Sequence, residues 1–227
     1  MNKILAIETA STYCSIGFYN GAECSYFITD TEPLNHAQKC TSLIEKALSE
    51  NQLAIHDLDA IAVSIGPGSY TGLRIGLSVA KGMAYGADLP ILGIDTLEIM
   101  ANKAMAEMKS KLPDYIVSII DARRNDIYYS IFKKNGDQLL PSSAYTLDHN
   151  FLNTIPKTAK IVLIGDGAQK SLTFLEGFSN VTAEEILPEA QFMGRIIQKA
   201  LKKNEYLDLA YSEPNYIKEV YITSGKS

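Results

Sequence analysis

The turn after the first hydrophobic segment carries the residues with the most evident chemistry. Glu8, Thr9 and Ser11 follow the apolar residues 4–7 and offer one carboxylate and two hydroxyl groups within a short turn. Such oxygen groups can hold a magnesium–phosphate complex. Residues 8–12 contain no glycine, however, and glycine is the residue that lets a backbone come close to a phosphate. We therefore interpret the turn as a vestigial phosphate-binding site rather than a working one.

Three other short segments could bind a ligand or only shape the chain. Gly165 and Asp166 begin a Gly-Asp-Gly segment between a predicted strand and a predicted helix, where N–H groups can bind phosphate, although one Gly-x-Gly is a weak signal. Asp121 and Arg123 lie between two predicted strands and either form an exposed charged hairpin or orient a ligand in a cleft. Asp95 is equally suited to cap the next helix and to act as a functional acid.

A histidine and a cysteine have the spacing of metal ligands on a helix. Asn35 and Gln38 form a predicted capping box, and the helix that follows places His36 and Cys40 one turn apart on its apolar face. No sequence spacing nominates a third ligand, and such residues on an apolar face usually belong to the core. We predict no metal and no other cofactor.

The segment 66–86, GPGSYTGLRIGLSVAKGMAYG, is the most informative part of the chain. Its Gly-Pro-Gly start predicts a tight turn, and small residues then recur at every fourth position of a helix, at Gly72, Gly76, Ala80 and Ala84. Interior glycines cost about 1 kcal/mol each relative to alanine, so this ridge needs a compensating close contact. Three explanations stay open: packing on the protein's own first helix, a subunit interface, or a phosphate loop, although the Walker pattern is not met.

The elements that must position these residues form two successive units. Apolar periodicity predicts strands at 4–8, 14–19 and 23–29, with Asn20–Gly21 as a type I′ turn, then helices and strands in the order βββαβαβα over the first 110 residues. Strands at 115–121, 126–132 and 161–164 and a helix at 189–203 follow. We predict an α/β protein with two ribonuclease-H-like, actin-like (ASKHA) lobes built on mixed sheets, 1–110 and 111–227, with residues 212–220 packing back across the body.

Bulk composition indicates a folded soluble protein. The net charge of −5 does not favour direct binding of nucleic acid, which usually needs a basic face. Three widely spaced cysteines favour reduced thiols in a cytosol, and no apolar run has the length of a membrane span or a signal peptide. We expect a cytoplasmic protein with no membrane contact, in which any contact with RNA is supplied mainly by another subunit.

Four segments in this order and spacing carry a resemblance to a known family. ILAIETASTYCSIGFY, IGPGSYTGLRIGLSVAKGMAYG, DARRNDIYYSIF and IGDGA resemble the TsaB (YeaZ) family, accessory subunits for tRNA threonylcarbamoyladenosine (t6A) synthesis. The resemblance extends from Ile4 to about Ala168. Pro214-Asn-Tyr-Ile-Lys218 is similar to the family's Pro-x-Tyr-Leu-Arg, with departures at the last two positions.

The resemblance implies a function and a partner. In the family, the catalytic subunit TsaD transfers threonylcarbamoyl to N6 of adenosine 37 in tRNAs that read codons starting with A, and TsaE is an ATPase partner. TsaB has no established active site and supports TsaD as a heterodimer through its first two long helices. TsaD holds its metal with two histidines one turn apart, and His36 and Cys40 match that motif incompletely. The expected partner-binding residues are His36, Cys40, Leu43, Ala47, Gly72, Ile75, Gly76, Val79, Ala80 and Met83.

Two enzymatic alternatives stay open at this point. An actin-fold ATPase or small-molecule kinase would use Glu8, Thr9, Ser11, Gly165 and Asp166 as its nucleotide site. A glycoprotease-like metallopeptidase would need stoichiometric metal. A homodimer through the helix surface is a further expectation for the isolated chain. The leading prediction is a non-catalytic subunit that contacts tRNA only indirectly.

Overall fold

The computed structural model describes residues 2–31 and 36–217, without the side chains of residues 36–38 and 110. The predicted cap Asn35, the side chains of His36 and Gln38, and residues 218–220 of the predicted tail lie outside this description.

The first sheet has five strands, and its inner strands are buried on both faces. The strands are β1 (Lys3–Glu8), β2 (Cys14–Asn20), β3 (Glu23–Asp30), β4 (Ala60–Gly66) and β5 (Ile91–Asp95), in the order β3-β2-β1-β4-β5. The first three form an antiparallel meander, and β4 and β5 add in parallel. Burial on both faces explains why β1 and β4 are almost continuously apolar.

Three helices connect or follow these strands. They are α1 (His36–Glu50), α2 (Tyr70–Ala87) and α3 (Thr96–Met108). Helices α1 and α2 lie on one face of the first sheet, where Ile44 and Leu77 join one apolar core with Leu5 and Ile7 of β1. This pair of adjacent helices follows from the parallel crossovers that β4 and β5 require.

The second sheet repeats the topology of the first. Its strands are β6 (Tyr115–Asp121), β7 (Asp126–Lys133), β8 (Gln138–Thr146), β9 (Ile161–Ile164) and β10 (Val181–Glu184), in the order β10-β9-β6-β7-β8. Strands β6 to β8 are an antiparallel meander, and β9 and β10 add in parallel. Two mixed sheets with the same strand order confirm the predicted duplicated ribonuclease-H-like, actin-like fold class.

The last helix of each half packs on the sheet of the other half. Leu97 and Met100 of α3 share a core with Ile116 of β6 and Ile164 of β9. Helix α5 (Gly194–Lys203) packs through its buried isoleucines against the face of the first sheet that carries Ile4. The short helix α4 (Ala168–Leu172) lies beside β9 and β10. The division at residues 110 and 111 stays a prediction, but this exchange of helices binds the two halves together.

Two local predictions differ from the structure. The β2–β3 connection consists of Gly21 and Ala22, of which only Gly21 has a positive φ, so glycine occupies the first central position as in a type II′ turn. The predicted helix at 189–203 is a 3₁₀ turn at Ala190–Phe192 followed by α5. Among the described residues, no helix combines the length and apolarity needed to cross a membrane.

Candidate functional site

Two residues of the predicted phosphate turn lie inside the protein. Glu8 and Thr9 are fully buried. The N–H of Ala10 donates to Glu8 Oε1 at 2.5 Å, and Glu8 Oε2 has no hydrogen-bond partner among the described residues. Burial raises the pKa of Glu8 to about 7, against the hydrogen bond from Ala10, which lowers it. Glu8 is therefore an interior acid that holds its proton at pH values below about 7.

Helix α2 covers this turn with its glycine face. A Cβ added to Gly72 would overlap the carbonyl oxygen of Thr9, and one added to Gly76 would overlap Thr9 Oγ1. At the loop before α2, a Cβ on Gly68 would overlap Ala10. The close contact that the glycine ridge requires is thus found within the chain, between α2 and the β1–β2 turn.

The remaining residues of the turn reach a cleft between the two halves. Ser11 lines this cleft, of about 760 Å³, together with Asp121, Arg123 and Asp166. The N–H of Asp121 donates to Asp166 Oδ1 at 2.8 Å, and Lys170 pairs with Asp121 at 2.7 Å. Burial raises the pKa of Asp166. The sequence-predicted nucleotide residues are therefore divided: Glu8 and Thr9 lie in the core, and Ser11 and Asp166 in the cleft.

The glycines next to Asp166 have packing reasons of their own. Gly165 has a φ of +108°, and a Cβ there would overlap the carbonyl oxygen of Ile119 on β6. A Cβ on Gly167 would likewise overlap the side chain of Ile119. Both glycines therefore let the β9–α4 loop approach the end of β6.

Asp95 is the N-cap of α3. Its Oδ1 accepts hydrogen bonds from the N–H groups of Leu97 and Glu98, and its Oδ2 accepts one from Ser142 Oγ at 2.6 Å. Burial raises the pKa of Asp95 to about 6, and the bond from Ser142 opposes that shift. The structure thus supports the capping interpretation and adds a contact to the second sheet.

Cys40 points into the core of the first half. It is fully buried and contacts the thiol of Cys14, and this contact raises the pKa of Cys14 and lowers that of Cys40. Among the described residues, no group of three metal-ligating side chains occurs. The side chain of His36 lies outside the described part of the chain.

The predicted partner-binding residues separate by burial. Five of them are buried within the chain: Cys40, Ala47, Gly72, Gly76 and Ala80. Four others are half-buried at the outer edge of the same core: Leu43, Ile75, Val79 and Met83. Gly82 lies beside them on α2, is exposed, and would carry a Cβ with nothing within 4 Å. We call Leu43, Ile75, Val79, Gly82 and Met83 the helix surface.

The contacts of α2 and of the end of β4 with residues 212–217 were not predicted. The N–H of Asn215 donates to the carbonyl of Ile65 at 2.7 Å, and Lys81 Nζ donates to the carbonyl of Ser212 at 2.6 Å. Arg74 Nε donates to the hydroxyl of Tyr216 at 2.8 Å. Residues 212–217 thus pack back across the body as predicted. The sequence signal for this segment was the Pro-Asn-Tyr motif. Spacing along the chain could not show that the tyrosine of this motif contacts Arg74.

Comparison of the sequence with known proteins identifies the family of this chain. The family model described as "TsaD: tRNA N6-adenosine threonylcarbamoyltransferase" matches residues 33–219. A protein of Buchnera aphidicola subsp. Schizaphis graminum named "tRNA threonylcarbamoyladenosine biosynthesis protein TsaB" is 31% identical over 172 residues, which are 74% of this chain and 80% of that protein. The chain belongs to the TsaB (YeaZ) family.

Further members extend the match over nearly the whole chain. The Escherichia coli K12 protein named "tRNA threonylcarbamoyladenosine biosynthesis protein TsaB" is 28% identical over 225 residues, 95% of this chain and 94% of that protein. A solved structure described as "YeaZ from Pseudomonas aeruginosa" has a TM-score of 0.76 and 23% identity, and covers 95% of this chain and all of its own. A second Pseudomonas aeruginosa structure, described as an uncharacterized protein with similarity to peptidase YEAZ, has a TM-score of 0.84 at 22% identity, with 96% of this chain covered and all of its own. These structural likenesses establish the TsaB-type fold.

Proposed function

We propose that this TsaB-family chain is a non-catalytic subunit that binds a TsaD-type threonylcarbamoyltransferase and supports t6A synthesis in tRNA. The observation that carries the proposal is the helix surface. Apolar area is exposed along the adjacent helices α1 and α2 by four half-buried side chains, those of Leu43, Ile75, Val79 and Met83. Gly82 has no side chain and leaves open space beside them. An exposed glycine within a helix costs about 1 kcal/mol and has no contact here to offset it, which suits close approach by a partner helix.

The buried part of the glycine ridge supports this role indirectly. Gly72 and Gly76 bring α2 close to Thr9, and Ala80 and Ala47 are buried in the same core. Their small size sets how closely α1 and α2 pack on the sheet. It thereby sets how far Ile75 and the other residues of the helix surface extend into solvent. In this proposal, the buried residues shape the helix surface and the half-buried ones contact the partner.

The test is binding to TsaD of the same organism, with Gly82→Leu as the decisive variant. Space around Gly82 is open, so the Gly82→Leu variant should fold normally. Its added side chain should prevent a helix of the partner from coming close to α2. We expect the wild-type pair to coelute on gel filtration and to form t6A together, and the variant to elute separately.

The matched control is Glu107→Leu, which adds the same side chain at an exposed position of α3. It should bind TsaD like the wild type. Wild-type affinity of Gly82→Leu for TsaD would contradict the role of the helix surface in binding. Full t6A formation by TsaD alone would contradict the accessory role of this chain.

The ATPase alternative is less well supported because the turn it needs is covered. Thr9 lies beneath α2, Glu8 is fully buried, and the cleft beside them carries the carboxylates of Asp121 and Asp166. Micromolar binding of Mg-ATP to the isolated chain in calorimetry would favour this alternative. Elemental analysis that finds stoichiometric zinc or iron would favour the metallopeptidase.

The proposal extends to the other members of the assembly. TsaE would join as the ATPase partner, tRNA would be contacted mainly through TsaD, and the complex would act in the cytoplasm. In the absence of TsaD, the helix surface could pair with a second copy of the chain, which light scattering of the isolated protein would detect.

A further inference from the structure

Arg74 is held in one orientation by two tyrosines at the rim of the cleft. Its guanidinium lies 4.2 Å from the ring centroid of Tyr70, and its Nε donates to Tyr216 Oη at 2.8 Å. The rings of Tyr70 and Tyr216 are 5.3 Å apart. Three side chains that would otherwise be mobile therefore form one ordered cluster, because the cation and the two rings attract one another.

The terminal Nη groups of Arg74 are donor groups that the hydrogen bond within this cluster does not use. Arg74 is exposed, and its terminal Nη groups have neither an ion pair nor a hydrogen bond among the residues that the structure describes. Such a fork matches the two oxygens of a carboxylate, and fixing it beforehand reduces the entropy lost on binding. Arginine and tyrosine are also the residue types that dominate binding energy at protein interfaces.

We propose that Arg74 is a specificity-determining residue that receives a carboxylate from the protein partner seated on the helix surface. Arg74 precedes Ile75 directly and lies on the solvent side of α2, so the same partner can reach both. The inference therefore rests on the proposed function.

The charge around the cluster favours a protein carboxylate over a phosphate chain. Asp121 and Asp166 line the cleft whose rim Tyr70 and Tyr216 form, and the net charge of the chain is −5. A nucleic-acid strand would bring several phosphates next to these carboxylates and next to Glu213, whose charge already acts on Arg74, whereas a protein partner would bring a single glutamate or aspartate.

The experiment is calorimetry of TsaD binding at low and at high salt, with Arg74→Lys, Arg74→Gln and Tyr216→Phe. Lysine keeps the charge but lacks the fork, so Arg74→Lys should weaken binding by about tenfold. Arg74→Gln should weaken it further and reduce its salt dependence, because the ion pair is lost. Tyr216→Phe frees the guanidinium but keeps its charge, so it should weaken binding less and retain the salt dependence. Arg195→Lys on α5 is the control and should bind like the wild type.

Two outcomes would overturn the inference. One is wild-type affinity and salt dependence in both Arg74 variants while Gly82→Leu still abolishes binding, in which case the helix surface stands and the arginine contact falls. The other is equal loss in Arg74→Gln and Tyr216→Phe with unchanged salt dependence, which would mean that Arg74 only anchors the C-terminal residues. No binding by the wild type would remove the proposed function and this inference together.

Discussion

Thr9 fills the space that a side chain at Gly76 would need. A Cβ on residue 76 would overlap its Oγ1, and a Cβ on residue 72 would overlap its carbonyl oxygen. The turn after β1 and the first half of α2 thereby pack in direct contact.

Gly76 and Gly82 should respond in opposite directions to alanine. Gly76→Ala must displace Thr9, and we expect a loss of about 2 kcal/mol of unfolding free energy from overpacking. Gly82→Ala meets open space, so the better helix propensity of alanine should add up to about 1 kcal/mol. Urea denaturation with unchanged m-values measures both. Equal effects of the two substitutions would show that the contact with Thr9 has no energetic weight.

Glu8 should make the protein less stable as the pH rises through the range from 4.5 to about 7. The unfolded carboxyl loses its proton near 4.5 and the folded one near 7, so between these values the native state holds more protons than the unfolded state. The stability that the protonated form provides is complete below pH 4.5 and lost above about pH 7. Glu8→Gln removes this dependence and should be more stable than the wild type by about 3 kcal/mol at pH 8, with little difference at pH 4.

The control for Glu8→Gln is Glu176→Gln at an exposed position. It should leave the pH profile of the unfolding free energy unchanged. A profile of Glu8→Gln that runs parallel to the wild type from pH 4 to pH 8 would contradict the buried, protonated state of Glu8.

Tyr19 joins the two halves through its hydroxyl. Tyr19 Oη donates to the carbonyl of Ala190 at 2.7 Å and accepts from the N–H of Gly194 at 3.0 Å, at the start of α5. Tyr19→Phe leaves both backbone groups buried without this partner, and we expect a loss of about 2 kcal/mol. Tyr85→Phe on the exposed side of α2 should cost nothing measurable in the same denaturation series. A Tyr19→Phe protein as stable as the wild type would show that water replaces the hydroxyl.

Asp95 should be sensitive to the loss of its cap and less so to the loss of its charge. Asp95→Ala removes the acceptor for Leu97 and Glu98 and leaves Ser142 without its partner, at a cost of about 2 kcal/mol. Asp95→Asn keeps an oxygen that can cap α3, and it avoids burying a charge, so its cost should be less than half as large. Thermal unfolding at pH 7 compares the two, and a larger loss in Asp95→Asn would contradict the capping role.

Local patterns predicted most elements because their causes are local. Strands β6 and β9 have the predicted bounds at both ends, since turn residues and apolar runs fix them. Strand β10 (Val181–Glu184) was not predicted, because it is short, lies at a sheet edge and alternates apolar with polar residues. The 3₁₀ turn before α5 was missed because tertiary bonds hold it: Ala190 N–H donates to Ser15 Oγ, and its carbonyl accepts from Tyr19.

The sequence by itself determined the fold class, the glycine-rich entry to α2 and the family, because these depend on residue order and spacing along the chain. Only the tertiary structure decided which face of α2 is buried. A glycine in a helix indicates close contact but carries no information about the contacting group, and Thr9 meets Gly76 only after β1 and α2 have packed together. For the same reason, the sequence could group Glu8, Thr9 and Ser11 as one site, whereas packing buried the first two and left the third in the cleft.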